Sequence, residues 1–216
     1  MAGASQSDVQ VELYAEAPVP SARGEMRFLV FREIPAHGDG LIPEPREHVA
    51  IVKGDVAGRE GVPVRVHSEC LTSEVFGSLK CDCKDQLDRA LDRIMAAPAG
   101  VLVYLRQEGR GIGLGNKLRA YALQAKGRDT YQANRELGFA DDLRRYDVAA
   151  EILRSLRVGS IDLLTNNPEK LSALKASGID VRRRLPSLAA VNAHNVGYLR
   201  AKREQTGHLI EQLLAG

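Results

Sequence analysis

Three cysteines stand out: Cys70, then Cys81 and Cys83 around a single aspartate. An odd count closes no disulfide set, and the opening MAGASQSDVQ lacks the basic start and apolar stretch of a secretory leader. A reduced, cytoplasmic chain is therefore expected, with cysteines serving as thiols or metal ligands. Three thiolates meet the needs of a catalytic zinc, which takes three protein ligands and keeps one position for water. Cys81 and Cys83 sit just before a helical pattern, where unsatisfied N–H groups favour the thiolate below the free-cysteine pKa of about 8.5. Zinc would lower the pKa of a bound water toward ~7. The competing readings are three unrelated buried thiols and a structural four-ligand site completed by His67. The polar strings HSEC and KCDCKDQ make poor core sequence, which weighs against the first. His67 and Glu69 form the His-x-Glu half of a zinc deaminase signature, with Glu moving protons, but the Pro-Cys-x-x-Cys half is absent.

A second chemical segment is RQEGRGIGLGNK at 106–117. Its glycines satisfy G-x-G-x-x-G in no frame, because Leu114 and Asn116 fall where glycine is needed, and no G-K-[ST] follows. What remains is a loop that allows close backbone approach to a ligand and carries Glu108, Arg110 and Lys117. Arg110 can clamp a phosphate through two N–H groups. Glu108 can accept from an amidine-like edge such as guanine N1–H and N2–H. A plain glycine-rich turn with solvated charges is the alternative. At 165–170, TNNPEK reads as a strand end followed by a helix start, so backbone N–H groups and Lys170 can converge on an anion; a bland turn explains it equally. Asp142 and Arg144 stand two apart in LGFADDLRRY, either as a working pair or as a solvated charge run.

The elements that must carry these groups follow from periodicity. Segments 9–14, 26–31, 48–53 and 62–66 are β-branched or aromatic and read as strands, with an exposed loop over 36–45. From Asp85 the period becomes helical through Leu87, Ala90, Leu91, Ile94 and Met95, up to Pro98. VLVYLRQ after Gly100 reads as a buried strand. Helices follow through Leu118 to Ala125, from an N-cap at Thr130 to Gly138, and over 146–156. A strand at 160–165, a helix over 168–177 begun by Pro168, a strand at 179–185 and a helix at about 197–214 complete the chain. Strands first, then alternation, predicts an α/β fold bordering on α+β, a mixed β-sheet with flanking helices. With 216 residues, one domain over 9–216 behind a flexible tail at 1–8 is expected. Lys+Arg is 30 and Asp+Glu is 28, a net charge of +2, which argues against a nucleic-acid-coating protein. No apolar run reaches the roughly 18 residues of a membrane span.

Taken together, RVHSECLTSEVFGSLKCDCKDQL, YLRQEGRGIGLGNKLRAYALQ, DTYQANRELGF, DDLR and LLTNNPEK resemble the GTP cyclohydrolase II family, in order from about 65 to 170. A looser likeness in AHN and YLRAKREQTGHLI extends to about 210. The resemblance implies one zinc per subunit on Cys70, Cys81 and Cys83. It implies a GTP pocket lined by Arg65, Val66, His67, Ser68, Glu69, Gln86, Glu108, Gly109, Arg110, Thr130, Thr165 and Lys170. It assigns Asp142 as proton acceptor, Arg144 to action at the α-phosphorus, and Tyr121 to the neighbourhood of the reacting ring. Glu69 and Tyr121 are the candidates for proton transfer there. Mg²⁺ on the triphosphate, a homodimer, and release of formate and pyrophosphate are further implications. The product would be the 2,5-diamino-6-ribosylamino-pyrimidinone 5′-phosphate, feeding riboflavin or a related specialised pathway.

An arginine nucleophile is chemically awkward, because guanidinium has a pKa above about 12 and no free lone pair; charge stabilisation by Arg144 is the other reading. The chain departs from the family at Lys84 and Ser73, where glycine is common, and at Ala193, often proline. None of these removes a ligand. Some relatives stop after the first hydrolysis and leave the formyl group in place; Tyr121 favours the full reaction. The remaining alternatives are another zinc purine-nucleotide hydrolase or deaminase, marked by ammonia release, and a zinc-stabilised binding module without turnover. The chain starts almost directly with the cyclohydrolase-like segment, so the dihydroxybutanone phosphate synthase domain that many relatives carry is expected to be missing.

Overall fold

The structure is a computed structural model that describes residues 9–34, 46–128, 130–140, 142–188 and 190–210, without the side chains of Thr130 and Tyr131. The expected tail at 1–8, the whole of the expected loop at 36–45 and the end of the expected C-terminal helix lie outside the described residues. In chain order the elements are β1 (Gln10–Ser21), β2 (Gly24–Ile34), β3 (Glu47–Lys53), β4 (Val62–Ser68), α1 (Leu71–Glu74), α2 (Cys83–Ala96) and β5 (Gly100–Leu105). A tight turn at Glu108–Gly111 precedes α3 (Gly113–Gln124), α4 (Thr130–Glu136), α5 (Asp147–Ser155), β6 (Ile161–Leu164), α6 (Pro168–Ala176), β7 (Val181–Leu185) and α7 (Val196–Thr206).

The chain forms two compact units, each assembled from three segments. The first comprises Met1–His67, Asp88–Arg106 and Tyr146–Ser187; the second comprises Ser68–Leu87, Gln107–Arg145 and Leu188–Gly216. The first holds the sheet, in the order β1-β2-β3-β5-β4-β6-β7. β1, β2, β3 and β5 pair antiparallel in that order, while β4, β6 and β7 pair parallel. The mixed sheet expected from the sequence is therefore present. β1 runs well past the expected strand, through Pro18 and Pro20. Proline removes a ladder donor, so such a strand belongs at a sheet edge, and β1 is an edge strand.

Alternation puts the apolar residues of β2, β3 and β4 into one core with the continuous runs of β5 and β6. Leu29, Phe31, Val52, Val64, Val101, Val103 and Leu163 are each at most 2% exposed. α5 lays Val148, Ala149, Ile152 and Leu153 into the same core, and α6 adds Leu174. α6 begins as its sequence predicts: Asn167 Oδ1 accepts from Glu169 N at 2.9 Å, with Pro168 in the first turn.

The second unit is built differently. Among the described residues it contributes none of that apolar cluster. Its buried residues include Asp82, Glu108, Lys117, Asn134, Asn195 and Lys202. Two of its elements carry no periodic signature in the sequence, the single turn α1 and the turn at Glu108–Gly111. α7 is shorter than expected, because Gly207 adopts a left-handed conformation with φ of 61° and closes the helix after Thr206. Among the described residues no helix is long and apolar enough to cross a membrane.

Gly54 shows how tightly the sheet unit is closed. Its φ is 66°, and a Cβ there would lie 2.2 Å from the carbonyl oxygen of Pro98. Gly54→Ala must therefore both adopt a left-handed backbone and displace the chain before Gly100. The expected cost is about 2–4 kcal/mol, read as a lower urea midpoint. A midpoint equal to that of the parent protein would refute this packing.

Candidate active site

The three cysteines converge in the second unit. Their sulfurs all lie within 4.8 Å of one another, and Cys70 Sγ is 3.6 Å from Cys81 Sγ. Cys70 is buried at the entrance to α1, while Cys81 and Cys83 are half-buried at the start of α2. Among the described residues no fourth histidine, cysteine or carboxylate joins the group. Three soft sulfurs this close together, with no fourth such donor among the described residues, fit a zinc ion that keeps an open position. Beside them stands Lys117, on α3, whose Nζ donates to Cys70 Sγ at 3.2 Å and to Glu108 Oε1 at 2.7 Å.

Electrostatics within the cluster is uneven. Cys81 and Cys83 donate to Cys70, and this, with the Lys117 charge, holds the Cys70 thiol far below the ordinary range against the opposing effect of burial. The same arrangement pushes Cys81 and Cys83 up, because each gives its proton toward a thiolate. Burial works against the Lys117 ammonium, but Glu108 and the Cys70 thiolate outweigh it and keep it charged.

Glu108 is the hinge of the arrangement. Its Oε2 accepts from Leu71 N at 2.7 Å, and its Oε1 accepts from Gly109 N at 2.8 Å as well as from Lys117. The loop pays a conformational cost for this geometry. Gly109 and Arg110 are both left-handed, with φ of 63° and 59°. Arg110 is not a glycine, so its conformation stores strain of order 1–3 kcal/mol. Leu143 N donates to Arg110 O at 3.0 Å and helps hold the turn.

A pocket of about 320 Å³ opens beside the sulfurs, within the usual range for small-molecule sites. Ser68, Glu69, Glu108, Gly109, Arg110, Tyr121 and Arg144 line it with the cysteines. Burial pushes the Tyr121 phenol up to about 12, so it is a proton donor at neutral pH. Asp142 grips Arg144: Nε lies 2.9 and 3.0 Å from the two carboxylate oxygens, Nη2 bonds Oδ2, and Arg144 N adds a bond to Oδ1 at 3.0 Å. Burial raises the Asp142 carboxyl, but the Arg144 hydrogen bond and charge prevail and hold it below its usual range.

Other expected residues occupy different places. Gln86 donates to Asp82 on α2. The side chain of Thr130 lies outside the described residues. Arg65, Val66, His67, Thr165 and Lys170 belong to the sheet unit, at the ends of β4 and β6 and on α6. There Arg65 Nη1 donates to Leu164 O at 3.0 Å, and Lys170 Nζ donates to Val66 O at 2.7 Å. His67 stacks on Tyr104 with ring centres 5.7 Å apart, and Thr165 Oγ1 accepts from Asn167 N at 3.1 Å.

The sequence reading placed Lys117 in the loop but gave it no contact with sulfur. It also passed over Lys80, Arg128, His194 and Tyr198, which line the pocket. Lys80 Nζ stands 5.2 Å from the Tyr121 ring centre. A lysine two residues after a glycine run carries no pattern that points to a thiolate, so only the fold reveals that contact.

Comparison with known proteins places these features in context. The family model described as GTP cyclohydrolase II matches residues 12–186. The chain is 46% identical over 199 residues to GTP cyclohydrolase-2 of Picrophilus torridus, covering 92% of this chain and 99% of that protein. It is 55% identical over 166 residues to the riboflavin biosynthesis protein RibBA of Bacillus subtilis, covering 76% of this chain and 42% of that protein. The chain thus spans nearly all of the first relative and less than half of the second. A crystal structure of RibBX from A. baumannii, a two-domain 3,4-dihydroxy-2-butanone 4-phosphate synthase, aligns with a TM-score of 0.45 at 24% identity, covering 81% of this chain and 40% of that one.

The donor–acceptor order among the thiols is measurable in metal-free protein by thiolate absorbance against pH. One thiolate should already be present well below the free-cysteine pKa of about 8.5, with the other two appearing only in alkali. Cys81→Ala removes a donor to Cys70 and should move the first step upward. Three thiols titrating together near the free value would refute the cluster.

Proposed function

Because the chain belongs to the GTP cyclohydrolase II family, we propose that it hydrolyses GTP at guanine C8 and releases formate and pyrophosphate. The product is 2,5-diamino-6-(5-phospho-ribosylamino)pyrimidin-4(3H)-one, which enters riboflavin biosynthesis or a related specialised pathway. The observation that carries this reading is the convergence of three sulfurs on the wall of a pocket that also holds Glu69, Arg110, Tyr121 and Arg144. On this reading Cys70, Cys81 and Cys83 hold one zinc ion per subunit. When bound, zinc supplies a Lewis acid that lowers the pKa of water toward ~7.

The remaining steps belong to the chain's own groups. Glu108 is fixed by Leu71 N, Gly109 N and Lys117, which fill both acceptor positions of Oε1 and one of Oε2, so its Oε2 can accept one further N–H from the guanine edge. Lys117 offsets the negative charge of the Cys70 thiolate, which suits a site that must also accept an anionic nucleotide. Tyr121, protonated at neutral pH, donates at the ring as the imidazole opens, and Glu69 moves the proton in the opposite sense. Arg110 and Arg144 bind the phosphates, with Mg²⁺ on the triphosphate. Ser68, Gly109, Gln86 and Thr130 complete the nucleotide contacts of the second unit. The chain acts as one functional domain over 9–216, as a cytoplasmic homodimer, with no nucleic-acid or membrane partner.

Asp142 bears on the role of Arg144. A carboxylate held below its usual range is a poor base, and it cannot take a proton from a guanidinium of pKa above about 12. The bidentate grip therefore supports Arg144 as a stabiliser of phosphate charge rather than a covalent nucleophile. Rapid quench of a turnover mixture should yield no guanylylated Arg144; trapping that adduct would reverse the assignment.

The function itself is tested by incubating the protein with GTP, Zn²⁺ and Mg²⁺ and following formate and pyrophosphate together. Both should appear in equal amounts, and Cys83→Ser should lower formate release by at least about a hundredfold. Ammonia in place of formate would mark a deaminase. A formylated pyrimidine without free formate would mark an enzyme that stops after ring opening.

Metal removal gives a separate readout. The second unit lacks the apolar cluster that stabilises the first, so metal binding should carry much of its folding free energy. Chelation should raise hydrogen exchange across 68–87 and 107–128 and leave β3 and β5 protected. Uniform loss of protection over both units would contradict this division.

A further inference from the structure

The match to the family model ends at residue 186, but the pocket wall does not. His194, Gly197, Tyr198 and Ala201 form part of it. They lie on α7 and the turn that enters it. That turn is set by Asn195, which is buried: its Nδ2 donates to Ala190 O at 3.0 Å, and its Oδ1 accepts from Asn192 N at 2.8 Å.

Two contacts tie this segment to the cysteine loop. Ala190 N donates to Asp85 Oδ2 at 2.7 Å. Lys202 Nζ donates to Asp82 Oδ1 at 2.9 Å, with side chains 11% and 2% exposed. The Lys202 ammonium also lies 4.4 Å from the Tyr198 ring centre, so the loop anchor and a residue of the pocket wall pack together. Asp82 occupies the middle of Cys81-Asp82-Cys83, and its second oxygen accepts from Gln86. Asp82 is buried, so without a cation it would be an uncompensated charge in the interior, and Lys202 supplies that cation.

We propose that Lys202 is a positioning residue for the metal site. Through Asp82 it fixes the Cys81–Cys83 loop so that both sulfurs face Cys70, and α7 is thereby a working part of the site. The lysine touches neither metal nor substrate; it acts through the aspartate. This inference rests on the zinc reading given under Proposed function.

The test is equilibrium competition for zinc between the full chain and a chromophoric chelator, with Co²⁺ spectra as a report on sulfur ligation. Lys202→Met should weaken zinc binding about 10- to 100-fold, the range found when a partner of a metal ligand is removed, and should diminish the sulfur-to-cobalt charge-transfer bands. Lys202→Arg, which keeps the cation, should restore most of both. Asp82→Asn combined with Lys202→Met should bind more tightly than Lys202→Met alone, because the unpaired buried carboxylate is gone. Should Lys202→Met fail to fold, the comparison of Lys202→Arg with the double variant decides, and equal losses in both overturn the proposal. Zinc affinity and cobalt spectra unchanged in a folded Lys202→Met protein also overturn it, while the metal reading stands. A parent protein that takes up no zinc overturns both.

Discussion

Bringing three sulfurs within 4.8 Å of one another is the constraint on which the second unit turns. Thiolates at that separation repel strongly in a medium of low dielectric. Without metal the cluster relieves this by sharing protons toward Cys70 and by holding the Lys117 ammonium against it. Holding the three sulfurs together is therefore a property of the arrangement as a whole. Its cost is spread over neighbouring elements: α3 supplies the lysine, the turn at Glu108–Gly111 supplies the carboxylate that holds the lysine, and α1 supplies the N–H that holds the carboxylate.

That chain of contacts explains why the turn accepts a left-handed arginine. An ordinary turn would relax Arg110 to negative φ. Here Glu108 must bond Leu71 N and Lys117 while Gly109 N folds back onto the same carboxylate. Gly111 is packed just as closely, since a Cβ there would stand 3.0 Å from Leu143. Gly109 and Gly111 thus serve close approach on both sides of Arg110. They bring Arg110 to the pocket wall and let the segment carrying Asp142 and Arg144 lie against the turn, as the bond from Leu143 N to Arg110 O records.

How much of this was readable in advance differs between the two units. In the sheet unit local signals agree with packing: alternation marks β2 to β4, the continuous run after Gly100 marks β5, and Asn167-Pro168 marks the start of α6. The main difference there is β1, expected over 9–14 and found over Gln10–Ser21: Pro18 and Pro20 would interrupt an inner strand, a penalty that an edge position removes. In the second unit the motifs were legible and the geometry was not. The cysteine spacing singles out the trio that the fold brings together, and the resemblance points to Glu108, Arg110, Tyr121 and Arg144, which line the pocket beside it, and to Asp142, which grips Arg144. Nothing in periodicity showed α1, the left-handed Arg110 or the contact of Lys117 with Cys70, because each arises from charge compensation between segments distant in sequence. The expected reach of α7 to 214 fails for a local reason, the left-handed Gly207.

The contrast has a physical origin. Apolar burial is non-directional and proportional to area, so it leaves a periodic trace in sequence that can be read one element at a time. The second unit is held instead by directional pairs: Lys117 with Glu108, Lys202 with Asp82, and Arg144 with Asp142. Such pairs contribute little net stability once desolvation is subtracted, but they admit one arrangement and penalise the rest. On the proposed function, a pocket for a metal, a purine and a triphosphate benefits more from that selectivity than from added stability. The sheet unit can then supply most of the folding free energy, while the helical unit spends its sequence on placing charges.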